Sequence, residues 1–546
     1  MHNPGGSGLY LPFNVWGWIF LSAALGLGAW QATHVGQLRV SRLGIKWLLL
    51  ALLLCLPIVW SQSEIRDYAW PRLMGLAGGM LFLLSLYQWR HDVAQRRSIL
   101  WLVLGAVAIE MTLGLVQYYL LTPGNWLGYN TTVNRPYGIF QQPNVMASLL
   151  ATGLALALWL WGAGSALRWQ QWLNAYVIAG SCLLLVVLQS RVGQLGGVMV
   201  LLLVMPWLKS QRRLRLPLLL AGAGLLLGCI SLYAGQGATR GVEVYQSGGM
   251  RSVYWPYALK LLLQAPLTGW GYGSFESVFL HSYMADKAVN PAMVQIEYNL
   301  DHPHNELLYW AVEGGMLPLL ALLGMGLTLL WRVMGAACSG GWPKALALLA
   351  LVTPIALHTQ TEYPFYHSVT HWIIFLMLVW FIDEECERGS LPQIREIAYP
   401  HKLLLRFLAI GIPLIVVPFM LTALHTAWLV TKYERGGYKQ PELLLKIVNP
   451  VAWLTRAEFD INAVRLSAAL TRHDNHELQA YVDWGSAFVR HTPRANIYAN
   501  MLLALNAMGE HEQAATLRAE ALGLYPDDPQ LKPKSVPSFT VSAAHP

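Results

Sequence analysis

A chain of 546 residues has the length of several soluble domains, but 55% of its residues are hydrophobic and 12% are charged, about half the charged share of a soluble protein. Mean hydropathy is +0.41, which excludes a string of ordinary soluble domains. The net charge of +8 comes without a basic stripe carrying interleaved aromatics, so it points to anionic lipid headgroups rather than nucleic acid.

Apolar runs of about 20 residues recur, each long enough to cross about 30 Å of hydrocarbon. About twelve are predicted as helices: 11–30, 43–60, 70–89, 99–121, 144–165, 172–189, 192–208, 214–234, 305–331, 344–360, 367–382 and 403–430. The fold class is therefore all-α, a polytopic membrane protein. No basic n-region or cleavage-like site marks a removable signal peptide at the N-terminus. Basic residues fall on every second loop: His34/Arg39/Arg42/Lys46, Arg90/Arg96/Arg97, Lys209/Arg212/Arg213/Arg215 and Arg388/Arg395/Lys402. Those loops are assigned to the cytoplasm. The loops 61–70, 122–143, 235–304 and 359–366 then face outward, as does everything after residue 430. Of five cysteines, Cys55, Cys182 and Cys229 lie in spans, and Cys338 and Cys386 fall on the cytoplasmic side. No disulfide is expected, and their spacings match no zinc site.

Segment 235–304 is too long for a plain connection. Residues 252–264 within it read as an amphipathic helix suited to the headgroup level, and Gly269, Gly271 and Gly273 as a flexible turn. The expectation is a large outer loop that dips into the interface and helps to roof a cavity. After about residue 430 hydrophobicity falls and charge rises, marking a soluble domain over 431–530. Gly509, Ala514, Ala521 and Pro526 keep the spacing of a tetratricopeptide-like helix pair, which neighbouring helices around 441–490 would complete. Such a stack either binds proteins or merely packs. Residues 531–546, rich in Pro, Ser and Lys, read as a flexible tail.

The polar residues of interest cluster at span ends. Asp301-His302-Pro303-His304-Asn305-Glu306 precedes an apolar helix that carries Glu313-Gly314-Gly315. Two imidazoles beside carboxylates at a membrane boundary suit proton transfer near neutral pH. The alternative is a helix cap made by Asp301 or Asn305, with the imidazoles solvated. Arg191 interrupts apolar sequence, with no other charge between Arg168 and Lys209. It lies at the outer face, against the usual charge bias, so it is either functional or an arginine snorkelling to headgroups.

The His-x-His-Asn pattern followed by a helix bearing Glu-x-Gly resembles the signature of the O-antigen ligase/polymerase superfamily, and within it the bacterial O-linking oligosaccharyltransferases of the PglL type. Gly138-Ile139-Phe140-Gln141-Gln142-Pro143-Asn144, Gln189-Ser190-Arg191, Met250-Arg251 with Trp255, and His358 with Glu362-Tyr363-Pro364 resemble further elements in the same order.

The resemblance implies that Arg191 and Arg251 hold the pyrophosphate of a lipid-linked sugar donor, a task suited to a planar, permanently charged guanidinium. It implies that His304 is the essential histidine, and a positioned imidazole is a general base for a hydroxyl acceptor. Asn305 either caps the helix or orients the ring, and His302 either assists His304 or is a solvated neighbour. His358, Glu362 and Tyr363 come from a nearby outer helix end; Glu362 either orients a histidine or substrate hydroxyl or pairs with an arginine. Arg135, Gln142 and Asn144 head another helix at that face and either bind sugar or phosphate or, for Asn144, simply cap. No Asp-x-Asp pair stands in the outer loops, so metal-independent transfer without a cofactor is expected.

The implied function is inverting transfer of a glycan from undecaprenyl-pyrophosphate to Ser or Thr of an exported acceptor protein, such as a pilin, at the periplasmic face of the bacterial inner membrane. The rivals are an O-antigen ligase acting on lipid A core and an O-antigen polymerase. From another class, a transporter of the lipid-linked glycan would spread polar residues along its spans and show internal repeats, and this chain shows neither.

Overall fold

The structure is a computed structural model that describes residues 6–89, 92–132, 135–164, 167–235, 248–386 and 393–532. Tyr245 of the long loop, the basic residues Arg90 and Arg388, and the tail beyond Lys532 lie outside the described residues.

The expected spans are helical, but 305–331 is divided at Gly315 into Glu306–Gly314 and Met316–Gly340, the glycine's left-handed φ of +77° ending the first helix. Ten are long and apolar enough to cross a bilayer: Pro12–Val35, Arg42–Val59, Asp67–Leu86, Val93–Tyr119, Pro143–Ala163, Arg168–Val187, Arg191–Ser210, Arg215–Tyr233, Met316–Ala337 and Tyr399–Arg435. Trp342–His358 is apolar but shorter, at 17 residues, and Val369–Cys386 ends in Asp383, Glu384 and Glu385. The protein is thus an all-α, multi-pass membrane protein. Leu102, Ile109 and Phe407 lie exposed on the outer faces of spans, which is favourable against lipid tails and costly in water. Pro143–Ala163 is instead buried on nearly every side and forms the axis of the bundle.

Without a hydrophobic drive between helices in lipid, close approach depends on small residues. Gly26 brings the first helix so near the last span that a Cβ would strike the carbonyl oxygen of Ala409, and Gly224 meets Ala179 in the same way.

The acidic end of Val369–Cys386 is matched by Arg39 and Arg96 from the basic loops and by Arg332 and Lys344 from the neighbouring helices. Arg332 Nε donates to Asp383 over 2.6 Å, Arg96 lies 3.4 Å and Arg39 3.6 Å from Glu384, and Lys344 lies 2.7 Å from Glu385. At this end Gln37–Val40 pairs antiparallel with Gln393–Glu396, Gln37 opposite Glu396. That two-stranded ribbon was not expected from the sequence.

The long loop contains helices Arg251–Gln264 and Phe275–Val289, the first matching the amphipathic segment expected at 252–264. Beyond the last span, which continues to Arg435, come Leu454–Arg472, Asn475–Val489, Ala495–Met508 and His511–Leu524. Gly509 ends the third with φ +83°, a left-handed backbone that glycine adopts at no steric cost. Ala514 and Ala521 are buried between the last two.

This region is not a body with a core to itself. Tyr498, Met501 and Leu505 share one apolar cluster with Tyr254, Phe279 and Leu261 of the long loop. Arg494 pairs with Glu276 of the loop, and Tyr525 packs on Tyr298 with ring centroids 5.0 Å apart. Leu531, expected to open a flexible tail, is fully buried in the same cluster, because an apolar side chain there gains more from burial than its short link loses in freedom.

Candidate active site

Five segments meet at the end of the bundle opposite the acid-and-base network. They are the start of Pro143–Ala163, the turn before Arg191–Ser210, the start of Arg251–Gln264, and residues 301–306 against 358–363.

The last two are joined by backbone. The N–H of Glu306 donates to Thr359 O over 2.9 Å, and Asn305 Nδ2 donates to Gln360 O over 3.1 Å. Asn305 is also the N-cap of Glu306–Gly314, its Oδ1 accepting from Leu308 N–H at 3.0 Å. Of the two capping candidates, then, Asn305 fills the role and Asp301 does not. The imidazole of His304 is engaged rather than merely solvated.

Glu362 is the hub. Its Oε2 lies 2.6 Å from His304 Nδ1, and its Oε1 accepts from Arg251 Nη2 and, at 3.3 Å, from Asn144 Nδ2. The two alternatives for Glu362, orienting a histidine or pairing with an arginine, are both realised by its two oxygens. Burial pushes its carboxyl up, but the hydrogen bond and charge of His304 together with Arg251 outweigh this and hold it down at about 2. It is therefore a carboxylate at any working pH. The Glu362 side chain is 8% exposed, whereas those of His304 and Arg251 are each 26% exposed. The anchor is hidden and the two groups it holds are open to a substrate.

Asn144 passes the connection on. Its Oδ1 accepts from Ser190 Oγ over 2.8 Å, and Ser190 is the N-cap of the helix that begins at Arg191. Asn144 is thus a link between Ser190 and Glu362 and not a cap; Gln142 occupies the N-cap place of Pro143–Ala163, with no side-chain cap bond. The guanidinium of Arg191 reaches toward the turn before Arg251, its Nη2 lying 4.0 Å from where a Cβ on Gly249 would stand. Arg135 is buried and donates to Leu188 O, in the turn before Arg191.

His302 is buried among aromatic rings, with centroids 4.5 Å from both Tyr309 and Tyr363. Burial, and after it the charges of His304, Arg72 and His367, hold its pKa well below the usual histidine range, so it is neutral. Tyr363 packs against both histidines, 5.5 Å from His304. His358 turns away from this group: its Nδ1 lies 2.7 Å from Ser148 Oγ, fully buried in the bundle. The helix it ends faces Pro143–Ala163, and that sets the direction of the ring.

Other supports escaped the sequence reading. Gln117 Oε1 accepts from the N–H groups of Tyr137 (2.9 Å) and Gly138 (2.8 Å), and Glu110 Oε1 accepts from Ile139 N–H at 2.8 Å. Gly138, at φ +61°, lies where a Cβ would run into the Glu110 carboxylate. Arg72 Nη2 donates to Glu313 over 2.5 Å while stacked near Tyr272, Tyr309 and Trp310, and Glu313 Oε1 accepts from Phe275 N–H at 3.0 Å. Glu313 thus ties the span Asp67–Leu86 and the loop helix Phe275–Val289 to Glu306–Gly314. The test that singled out Arg191, an ionisable group at membrane depth, would have found Glu110 as well; Glu313 stood in the motif helix, but its partner Arg72 was not visible. No group of three or more His, Cys, Asp or Glu gathers in a metal-binding arrangement among the described residues.

Such a site on a bundle of membrane helices belongs with known families. The family described as protein glycosylation ligase matches residues 136–161, which include Gln142 and Asn144. O-antigen ligase matches 175–323, which include Arg191, Arg251, His302 and His304. Virulence factor membrane-bound polymerase, C-terminal, matches 346–538, which include Glu362 and Tyr363. No curated protein matches the chain. The class is that of multi-pass membrane enzymes that transfer glycosyl groups. Within it, the three matches support an O-antigen ligase superfamily member of the PglL type.

Proposed function

We propose that this protein is an O-oligosaccharyltransferase of the bacterial inner membrane, moving a glycan from undecaprenyl-pyrophosphate to Ser or Thr of an exported protein such as a pilin. The observation that carries the reading is the Glu362 carboxylate, joined to His304 through one oxygen and to Arg251 through the other.

The chemistry follows from that arrangement. The Glu362 carboxylate accepts a hydrogen bond from His304 Nδ1–H, which leaves the Nε2 lone pair to serve as base. The acceptor hydroxyl attacks the anomeric carbon, its proton passes to Nε2, and the bond from that carbon to the pyrophosphate oxygen breaks. Arg191 and Arg251 take up the charge that develops on the departing pyrophosphate, which needs no proton to leave. One displacement inverts the anomeric centre. Two guanidinium groups supply the positive charge, and the reading is of metal-independent transfer at the periplasmic face. The described part of the long loop, 248–304, roofs the site, and the helices over 431–530 present the acceptor protein.

The match over 346–538 to a polymerase family favours a second reading, in which the acceptor hydroxyl belongs to a growing glycan. Reconstitution with an undecaprenyl-pyrophosphate-linked glycan and three acceptors, a pilin, lipid A core and a second glycan, separates them. Modification of the pilin supports the first reading; modification of lipid A core or the second glycan alone overturns it.

A further inference from the structure

His304 stands in the left-handed region at φ +55°, which a residue with a Cβ adopts only when its surroundings hold it there. Asn305 supplies the helix cap, so the helix itself does not dictate the backbone of His304. The N–H of His304 donates to Nδ1 of His302 over 2.9 Å. Between them lies Pro303, which has no N–H and a fixed φ, while its carbonyl accepts from Trp255 Nε1 at 3.1 Å. A side chain accepting from the N–H two residues on is the pattern by which Asn and Asp build turns. Here a histidine does it.

We propose that His302 is the positioning residue for His304, its ring nitrogen holding the backbone turn that aims the His304 imidazole at Glu362. This rests on the reading of His304 as the base. The ring of His302 is well fitted for the task. It is 4% exposed and packed between Tyr309 and Tyr363, so it has little freedom to rotate. With Nδ1 accepting, its proton is on Nε2, and burial disfavours the second proton that would abolish the acceptor.

The geometry makes a specific demand on replacements. Asn places an acceptor oxygen at the same number of bonds from Cα as Nδ1, whereas Leu fills similar space with no acceptor. The test compares His302→Asn, His302→Leu and His304→Ala in proteoliposomes, with a short undecaprenyl-pyrophosphate-linked glycan and the acceptor selected by the three-way assay. His302→Leu lowers kcat about 10²-fold, the scale of loss from misplacing a reacting group by about 1 Å, while the donor KM holds. His302→Asn restores kcat to within about threefold of the parent, because the turn is rebuilt.

A folded His302→Asn protein as impaired as His302→Leu would overturn the proposal, as would a His302→Leu protein that turns over like the parent while His304→Ala does not. Parent-like turnover in His304→Ala would overturn the reading of the base, and this proposal with it.

Discussion

Nδ1 of His304 lies 2.6 Å from Oε2 of Glu362, a residue 58 positions further along the chain. The other oxygen of that carboxylate holds Arg251. An imidazole and a guanidinium are thus set at a fixed spacing by one buried group.

Glu362→Gln keeps the shape of the side chain and removes its charge. Transfer is expected to fall by about 10²-fold or more, since the imidazole loses both its tautomer control and its counter-charge. Stability changes with a definite sign. The carboxyl is held at about 2 in the folded protein against an ordinary 4.5, so its contribution is present above the ordinary value and is lost as pH falls through about 2. Thermal unfolding of the purified protein should show the variant less stable at neutral pH, with the gap narrowing once the pH drops below about 4.5.

Arg191→Lys and Arg251→Lys keep a positive charge and lose the planar fork. Both are expected to weaken donor binding and turnover, because an ammonium meets a pyrophosphate as a point charge. Titration with a lipid-linked donor, followed by initial rates, measures the two effects separately. Parent-like behaviour in both variants would remove the arginines from the donor site.

Activity of the purified protein is expected to survive EDTA and to gain nothing from added Mg²⁺ or Mn²⁺, since the guanidinium groups carry the charge of the leaving pyrophosphate. Rates measured before and after chelation decide it; loss that a divalent ion restores would count against the scheme.

Arg494 and Glu276 join the C-terminal helices to the long loop. Burial pushes the Glu276 carboxyl up to about 7 even with Arg494 beside it. Above that value the group is ionised and needs its arginine; below it, a proton relieves the need. Arg494→Ala should therefore cost about 1–3 kcal/mol at alkaline pH and less as the pH falls toward 5, read from unfolding of the detergent-solubilised protein.

The sequence showed the spans because about 20 apolar residues in a row have few other uses. It showed His304 and Arg191 because polar groups stand out against such a background. Glu362 was visible as a candidate, as were His304 and Arg251, but their pairing was not, since Arg251, His304 and Asn144 reach the carboxylate only through tertiary packing. The link from Ser190 through Asn144 was hidden for the same reason, as was the ribbon between Gln37–Val40 and Gln393–Glu396. The core shared by Tyr254 and Tyr498 was also illegible. A fall in hydropathy after residue 430 marks where lipid contact ends, and says nothing about which neighbour the new helices bury.

The most direct measurement is single-turnover transfer by His304→Ala, with donor binding followed in the same preparation. The account predicts a loss of about 10²–10⁴-fold in the transfer step, with lipid-linked donor bound as in the parent. Transfer at the parent's rate by a variant with no imidazole at 304 would contradict it.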